Sequence, residues 1–168
     1  MQPAASMRTG LATLCDGTFL LLVAVATLAA AKPSPVPQRF SAYIGGFIGG
    51  SYQIELHDSV LIYTAFGRGR SDPERSTVEP TAAQWREFRQ TIDDLKVWLW
   101  RADYPSDGVR DGTQWSLDIA FVDRSIKTRG NNNYPDDAGK PNGKPEPTEA
   151  FKRYLEAVRK LTGGKTFR

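Results

Sequence analysis

The feature that most constrains this chain is an apolar run over residues 19–31 (FLLLVAVATLAAA), preceded by Arg8 and closed by Ala29-Ala30-Ala31 ahead of Lys32-Pro33. A basic residue, an apolar stretch short of the roughly 20 residues a membrane helix takes, and small residues at the −3 and −1 positions predict a secretory leader cleaved after Ala31. Met7, just before Arg8, is a second plausible start and leaves that reading intact. Its chief rival is an uncleaved amino-terminal anchor. The single cysteine, Cys15, precedes the apolar run and follows Leu14, where a lipidation signal takes a small residue, so a lipoprotein anchor is not expected. The rest of the chain is therefore expected outside the cytoplasm, periplasmic or secreted, with no disulfide. Its stability must come from an apolar core.

Residues 32–39 (KPSPVPQR) read as an extended, proline-stiffened spacer, and residues 40–168 are enough for one domain with one core. The formal net charge is +3, with Lys/Arg and Asp/Glu interspersed. That is a solubility-level charge and not the concentrated basic stripe of a nucleic-acid footprint. With one histidine and no cysteine after the leader, no metal set at a familiar spacing exists, and no cofactor is expected.

Hydrophobic periodicity predicts the elements. Phe40, Ala42 and Ile44 alternate with polar neighbours, and so do Tyr52, Ile54 and Leu56 after the glycine-rich Gly45-Gly46-Phe47-Ile48-Gly49-Gly50. His57-Asp58 is read as a turn into a third strand over 59–66, apolar on both faces, and the breaker-rich stretch 67–80 as a loop. Thr81 and Gln84 then form a possible capping box, and Trp85, Phe88, Ile92 and Leu95 lay one stripe along a helix ending near Lys96. Residues 97–100 fit an extended exit. Trp115, Leu117, Ile119 and Phe121 mark the clearest strand, over 113–122, followed by a turn at Asp123-Arg124 and a short strand around Ile126. Residues 130–147 read as a long surface loop, and Thr148 caps a last helix stopped by Gly163. The fold class is α+β: an antiparallel sheet of about five strands in the order βββ-α-ββ-α, with two helices packed on one face.

Two blocks, Asp111-Gly112-Thr113-Gln114-Trp115 and Arg129-Gly130-Asn131-Asn132-Asn133-Tyr134-Pro135, resemble an uncharacterised family of bacterial secreted or lipoprotein domains. The resemblance covers most of the chain after the leader and implies membership without a known activity. The Gly45-Gly46-Phe47-Ile48-Gly49 turn and the strand–helix–strand–helix order also resemble emfourin-type inhibitors of thermolysin-like metalloproteases. That second resemblance rests on the short turn and the element order alone.

Few residues suggest chemistry. His57-Asp58-Ser59 holds the residue types of a hydrolase triad, but neighbours in a strand point to opposite faces, so turn formation explains them better. Asp111 and Asp118, a candidate acid/base pair, fall roughly 20 Å apart at about 3.3 Å per extended residue. The glycines lack the helix and the Lys-Ser/Thr of a phosphate loop, and a bulged hairpin is the plainer reading. Trp98, Trp100, Tyr104, Trp115 and Tyr134 either form a recognition surface or fill the core between sheet and helices. Asn131 and Asn133 either join that surface or shape a turn.

The leading expectation is a non-catalytic exported module that binds an envelope or secreted protein, with Trp100, Tyr104, Asp111, Trp115, Asn131, Asn133 and Tyr134 as its binding residues. A metalloprotease inhibitor, a structural envelope component and a carboxylate enzyme are the alternatives. Amino-terminal sequencing of the exported product is expected to read Lys32 first, and a product that still begins at Met1 or Met7 removes the cleaved leader.

Overall fold

Why one face of the sheet is greasy and the other wet follows from strand register. A computed structural model describes residues 34–46, 49–67, 72–106, 108 and 111–168. The leader expected over 1–31 and the tip of the glycine-rich turn, Phe47-Ile48, lie outside them. Strands β1 (Arg39–Gly45), β2 (Ser51–His57), β3 (Val60–Phe66), β4 (Glu74–Val78), β5 (Asp103–Tyr104), β6 (Gln114–Ala120) and β7 (Ser125–Asn131) form one sheet in the order β4-β3-β2-β1-β6-β7-β5. All neighbours pair antiparallel except β5 with β7, which run parallel. Pairing Phe40 with Ile119, Ala42 with Leu117 and with Ile54, and Ile54 with Tyr63 stacks the alternating apolar residues on a single face.

Helices α1 (Ala82–Asp94) and α2 (Glu149–Leu161) cover that face. Their stripes, Trp85, Phe88 and Ile92 from α1 and Phe151, Tyr154, Val158 and Leu161 from α2, share one core with the strand residues. The capping box is present: Thr81 Oγ1 accepts the Gln84 N–H at 3.2 Å, and Gln84 Oε1 accepts the Thr81 N–H at 2.8 Å. At the end of α2, Gly163 (φ 68°) donates to the Lys160 carbonyl and Gly164 (φ 88°) to that of Arg159, the paired bonds of a Schellman stop. Among the described residues no helix is long and apolar enough to cross a membrane.

The α+β class and the two helices agree with the sequence reading, but the sheet has seven strands where about five were expected. One extra strand, β4, lies inside the expected loop 67–80. Its side chains carry no apolar alternation, and it forms because its backbone groups pair with the outer edge of β3, Thr77 against Ile62 and Ser76 against Tyr63. The other, β5, is two residues long, too short for periodicity to register. Residues 97–99 are not extended. Lys96 adopts a left-handed conformation (φ 51°), and Val97–Leu99 form a single 3-10 turn that buries Val97 and Trp100 and leaves Leu99 66% exposed. The hairpin of β2 and β3 turns on Asp58 (φ 56°) and Ser59, one residue later than expected, with His57 still paired to Val60. The spacer is not free either: Pro37 is buried, Val36 packs on the core, and the Gln38 N–H donates to the Ala120 carbonyl at 2.7 Å.

An ionic and aromatic cluster ties the β6–β7 turn to α1. The Arg89 guanidinium grips Asp123 with two bonds, 3.0 and 2.7 Å, reaches Asp93 at 2.9 Å and lies 4.3 Å over the Phe121 ring. Arg89 chiefly, helped by Arg124, holds the Asp123 carboxyl well below the usual carboxylate range. A carboxylate depressed in the folded state contributes stability above its unfolded pKa, and that contribution fades as pH falls through the folded value. Thermal melts taken from neutral pH down into the acid range are therefore expected to show Asp123→Asn melting lower than wild type near pH 7, with the gap closing on acidification. A gap that stays constant with pH would contradict this pairing.

Candidate functional site

Trp115 on β6 stands directly across from Gly130 on β7, and its indole lies over the space where a side chain would be. A Cβ at Gly130 would come within 2.4 Å of the indole nitrogen and 2.7 Å of the Asn133 carbonyl oxygen. The indole N–H donates to that carbonyl at 3.0 Å. Around Trp115 gather Trp100 (ring centroids 6.1 Å apart), Tyr104 (5.5 Å), Tyr134 (6.4 Å, nearly parallel) and Phe151 of α2 (4.8 Å).

The asparagine run locks the chain around this cluster. Asn132 takes a left-handed conformation (φ 44°); its Oδ1 accepts the Thr113 N–H at 2.7 Å and its own N–H donates to the Thr113 carbonyl at 2.9 Å. Gly112 lies beneath that side chain, and a Cβ there would strike it at 2.3 Å. Asn133 donates to the Pro105 carbonyl at 2.7 Å and accepts the Gly143 N–H at 3.0 Å. The Tyr104 hydroxyl accepts the Arg101 N–H at 2.9 Å and donates to the Gly139 carbonyl at 2.7 Å. Burial raises the pKa of Tyr104 and Tyr134, so both hydroxyls stay protonated at neutral pH.

This geometry corrects the expected binding residues. Trp100, Tyr104, Trp115 and Tyr134 are 0–5% exposed and Asn133 is 7% exposed, so in this fold they hold the protein together and cannot present a surface to a partner. The reason is the 3-10 turn at 97–99, which swings Trp100 inward where an extended strand would have split the aromatics between two faces. Residues 130–147 are likewise not a free surface loop, since Asn133, Tyr134, Pro135 and Gly139 are buried. Trp98 is half-buried, packed against Phe121 with its indole N–H on Asp93.

Asp111 alone among the expected residues reaches an open site, and Asn131 borders a shallow depression on the wet face of the sheet. The open site is a recess of about 400 Å³ at the end of the sheet where β1 runs out and β6 begins. Its walls are Gly45, Gly46, Gly49 and Gly50 on one side and Asp111, Gly112 and Thr113 on the other, with Tyr52, Asn132 and Arg168 completing it. The walls approach closely because they lack side chains: a Cβ at Gly46 would sit 3.0 Å from the Gly112 carbonyl oxygen. Among the described residues neither Asp111 nor Arg168 makes an ion pair or a side-chain hydrogen bond. The recess was not legible beforehand because its parts lie far apart along the chain. The glycines and the Asp111-Gly112-Thr113 motif were each visible, but nothing local says that they meet.

The candidate chemistries fare differently. Asp118 is bonded to Arg39 at 2.8 Å on the wet face, whereas Asp111 lies in the recess, so no carboxylate pair forms. His57 is exposed beside Glu55 (3.6 Å) at a hairpin end, and among the described residues no triad assembles around it. Among the described residues no three His, Cys, Asp or Glu side chains come together as a metal site would need.

Two glycine substitutions separate scaffold from site. Gly130→Ala is expected to cost about 1–3 kcal/mol by overpacking Trp115, lowering the melting temperature by several degrees. Gly49→Ala, with nothing within 4 Å of the added Cβ, is expected to melt like wild type. Equal effects in calorimetry would refute the distinction.

Neither models of known protein families nor curated protein sequences match this chain, so the site is argued from its own geometry.

Proposed function

We propose that the chain is a non-catalytic, exported module that binds an envelope or secreted protein, and that the glycine-walled recess is its contact surface. The observation that carries this reading is a recess holding two opposite charges, Asp111 and Arg168, that no described side chain neutralises. Elsewhere on the surface several opposite charges that come this close together pair with each other, as in Arg39–Asp118, Arg129–Asp103 and Lys160–Glu87. Unpaired charges beside bare backbone suit a polypeptide ligand, whose main chain supplies donors and acceptors and whose side chains supply both signs. The resemblance of the 111–115 and 129–135 blocks to secreted domains supports export.

The inhibitor reading is the second, favoured by one feature: the turn that resembles the emfourin type forms a wall of the recess. On that reading the partner is a thermolysin-like metalloprotease.

A photo-crosslinking residue placed at Gly49, where the Cβ position is open, is compared with one at Arg86 on the exposed side of α1, in cells exporting the full chain. A discrete protein adduct from position 49 and none from position 86 is expected. No adduct from 49 would remove the recess as the contact surface. For the inhibitor reading, excess chain is added to a thermolysin-like protease, and proteolysis is expected to fall and to recover with Gly49→Trp, which fills the recess. Undiminished proteolysis ends that reading alone.

A further inference from the structure

The 17 residues between β7 and α2 are held down at a chemically labile step. Asn142-Gly143 is the one asparagine–glycine step in the chain. Such a step is prone to self-reaction, because glycine leaves its own backbone nitrogen unshielded beside the asparagine amide. The nitrogen of Gly143, on losing its proton to hydroxide or a water base, attacks Cγ of Asn142. The new N–Cγ bond forms as the Cγ–Nδ2 bond breaks, ammonia leaves, and a five-membered succinimide results. Water then opens the ring on either side, leaving aspartate or isoaspartate. The net change is amide plus water to carboxylate plus ammonium, and no other reactant is needed.

In the folded protein the attacking nitrogen and the polar atoms of the amide it attacks are all hydrogen-bonded. The Gly143 N–H, which must be released before attack, donates to Asn133 Oδ1 at 3.0 Å. The Asn142 amide is held at both ends: Oδ1 accepts the Tyr134 N–H at 3.0 Å and the Lys144 N–H at 3.3 Å, while Nδ2 donates to the Glu146 carbonyl at 2.8 Å. The Asn142 N–H donates to the Tyr134 carbonyl at 3.0 Å, so Asn142 brackets Tyr134 with backbone and side chain together. Tyr134 in turn stacks on Trp115 and meets Phe151 at 4.7 Å. The same bonds that seat the loop on the core therefore tie up both the attacking nitrogen and the amide it would attack.

We infer that Asn142 is a latent deamidation site, kept intact by its clasp with Asn133, Tyr134 and Glu146, and that its conversion to aspartate or isoaspartate unseats the 133–148 loop. Aspartate keeps an acceptor for Tyr134 but sets a negative oxygen against the Glu146 carbonyl where a donor stood. Isoaspartate routes the main chain through the former side chain, so the backbone and side-chain bonds to Tyr134 can no longer coexist.

The full chain is incubated at mildly alkaline pH in buffer and in concentrated guanidinium, and conversion at Asn142 is followed by peptide mapping. Conversion in the folded chain is expected to be at least about tenfold slower, the factor a local opening worth one or two hydrogen bonds imposes. Asn133→Ala, which frees the Gly143 N–H, is expected to fall between the two. Equal rates in folded and unfolded wild type would overturn the protection, whatever the Asn133 variant does. For the consequence, Asn142→Asp and wild type are exposed to limiting subtilisin, which unlike trypsin is not confined to Lys and Arg, both lysines here (Lys140, Lys144) preceding prolines, and faster cutting within residues 136–144 in the variant is expected. Identical digestion patterns would overturn the unseating.

Discussion

The contact between Trp115 and Gly130 organises most of what lies on the C-terminal side of this fold. Because Gly130 has no side chain, the indole lies flat across the neighbouring strand and its N–H reaches the Asn133 carbonyl beyond it. That places the ring where Trp100, Tyr104, Tyr134 and Phe151 all meet it. Phe151 belongs to the first turn of α2, whose cap Thr148 also bonds the Pro135 carbonyl. One large–small pair thus sets the seat of β5, the 131–148 loop and the start of the last helix. A side chain at position 130 would disturb all three together.

A sheet covered on one side has two different surfaces, and most of the aromatic residues are on the covered one, Tyr43 and Phe66 being exceptions. The wet face carries cross-strand ion pairs such as Arg39–Asp118, exposed to solvent and so of small energetic weight, typically under about 1 kcal/mol each. With its tryptophans and most of its tyrosines in the core, the protein presents its distinctive chemistry at a strand end, where glycines bring two backbone segments together beside an aspartate and an arginine. Recognition there would depend on charge and main-chain bonds more than on buried aromatic area.

Strands β1, β2, β3 and β6 and both helices were legible because each carries its own period and its own punctuation. Phe40, Ala42 and Ile44 alternate; Thr81 with Gln84 opens a helix; Gly163 with Gly164 closes one. Strand β4 was not legible, since Glu74, Arg75, Ser76 and Thr77 have no apolar rhythm and are held by backbone pairing to β3. Residues 97–100 misled for the opposite reason. Val97-Trp98-Leu99-Trp100 suits a strand by composition, but a left-handed Lys96 turns it into a 3-10 step that directs Trp100 inward.

Periodicity and capping are properties of neighbours along the chain, and from them follow the α+β class and the apolar stripe of each element, while the lone cysteine implies a core that holds without disulfides. Whether Trp100, Tyr104 and Tyr134 face a partner or each other depends on Trp115, Gly139 and Phe151, which reach them only once the sheet has closed. The recess likewise exists only when residues 45, 46, 49, 50, 52, 111–113, 132 and 168 converge. Local side-chain chemistry decided the elements; burial and convergence, which are long-range, were decided by the packed fold.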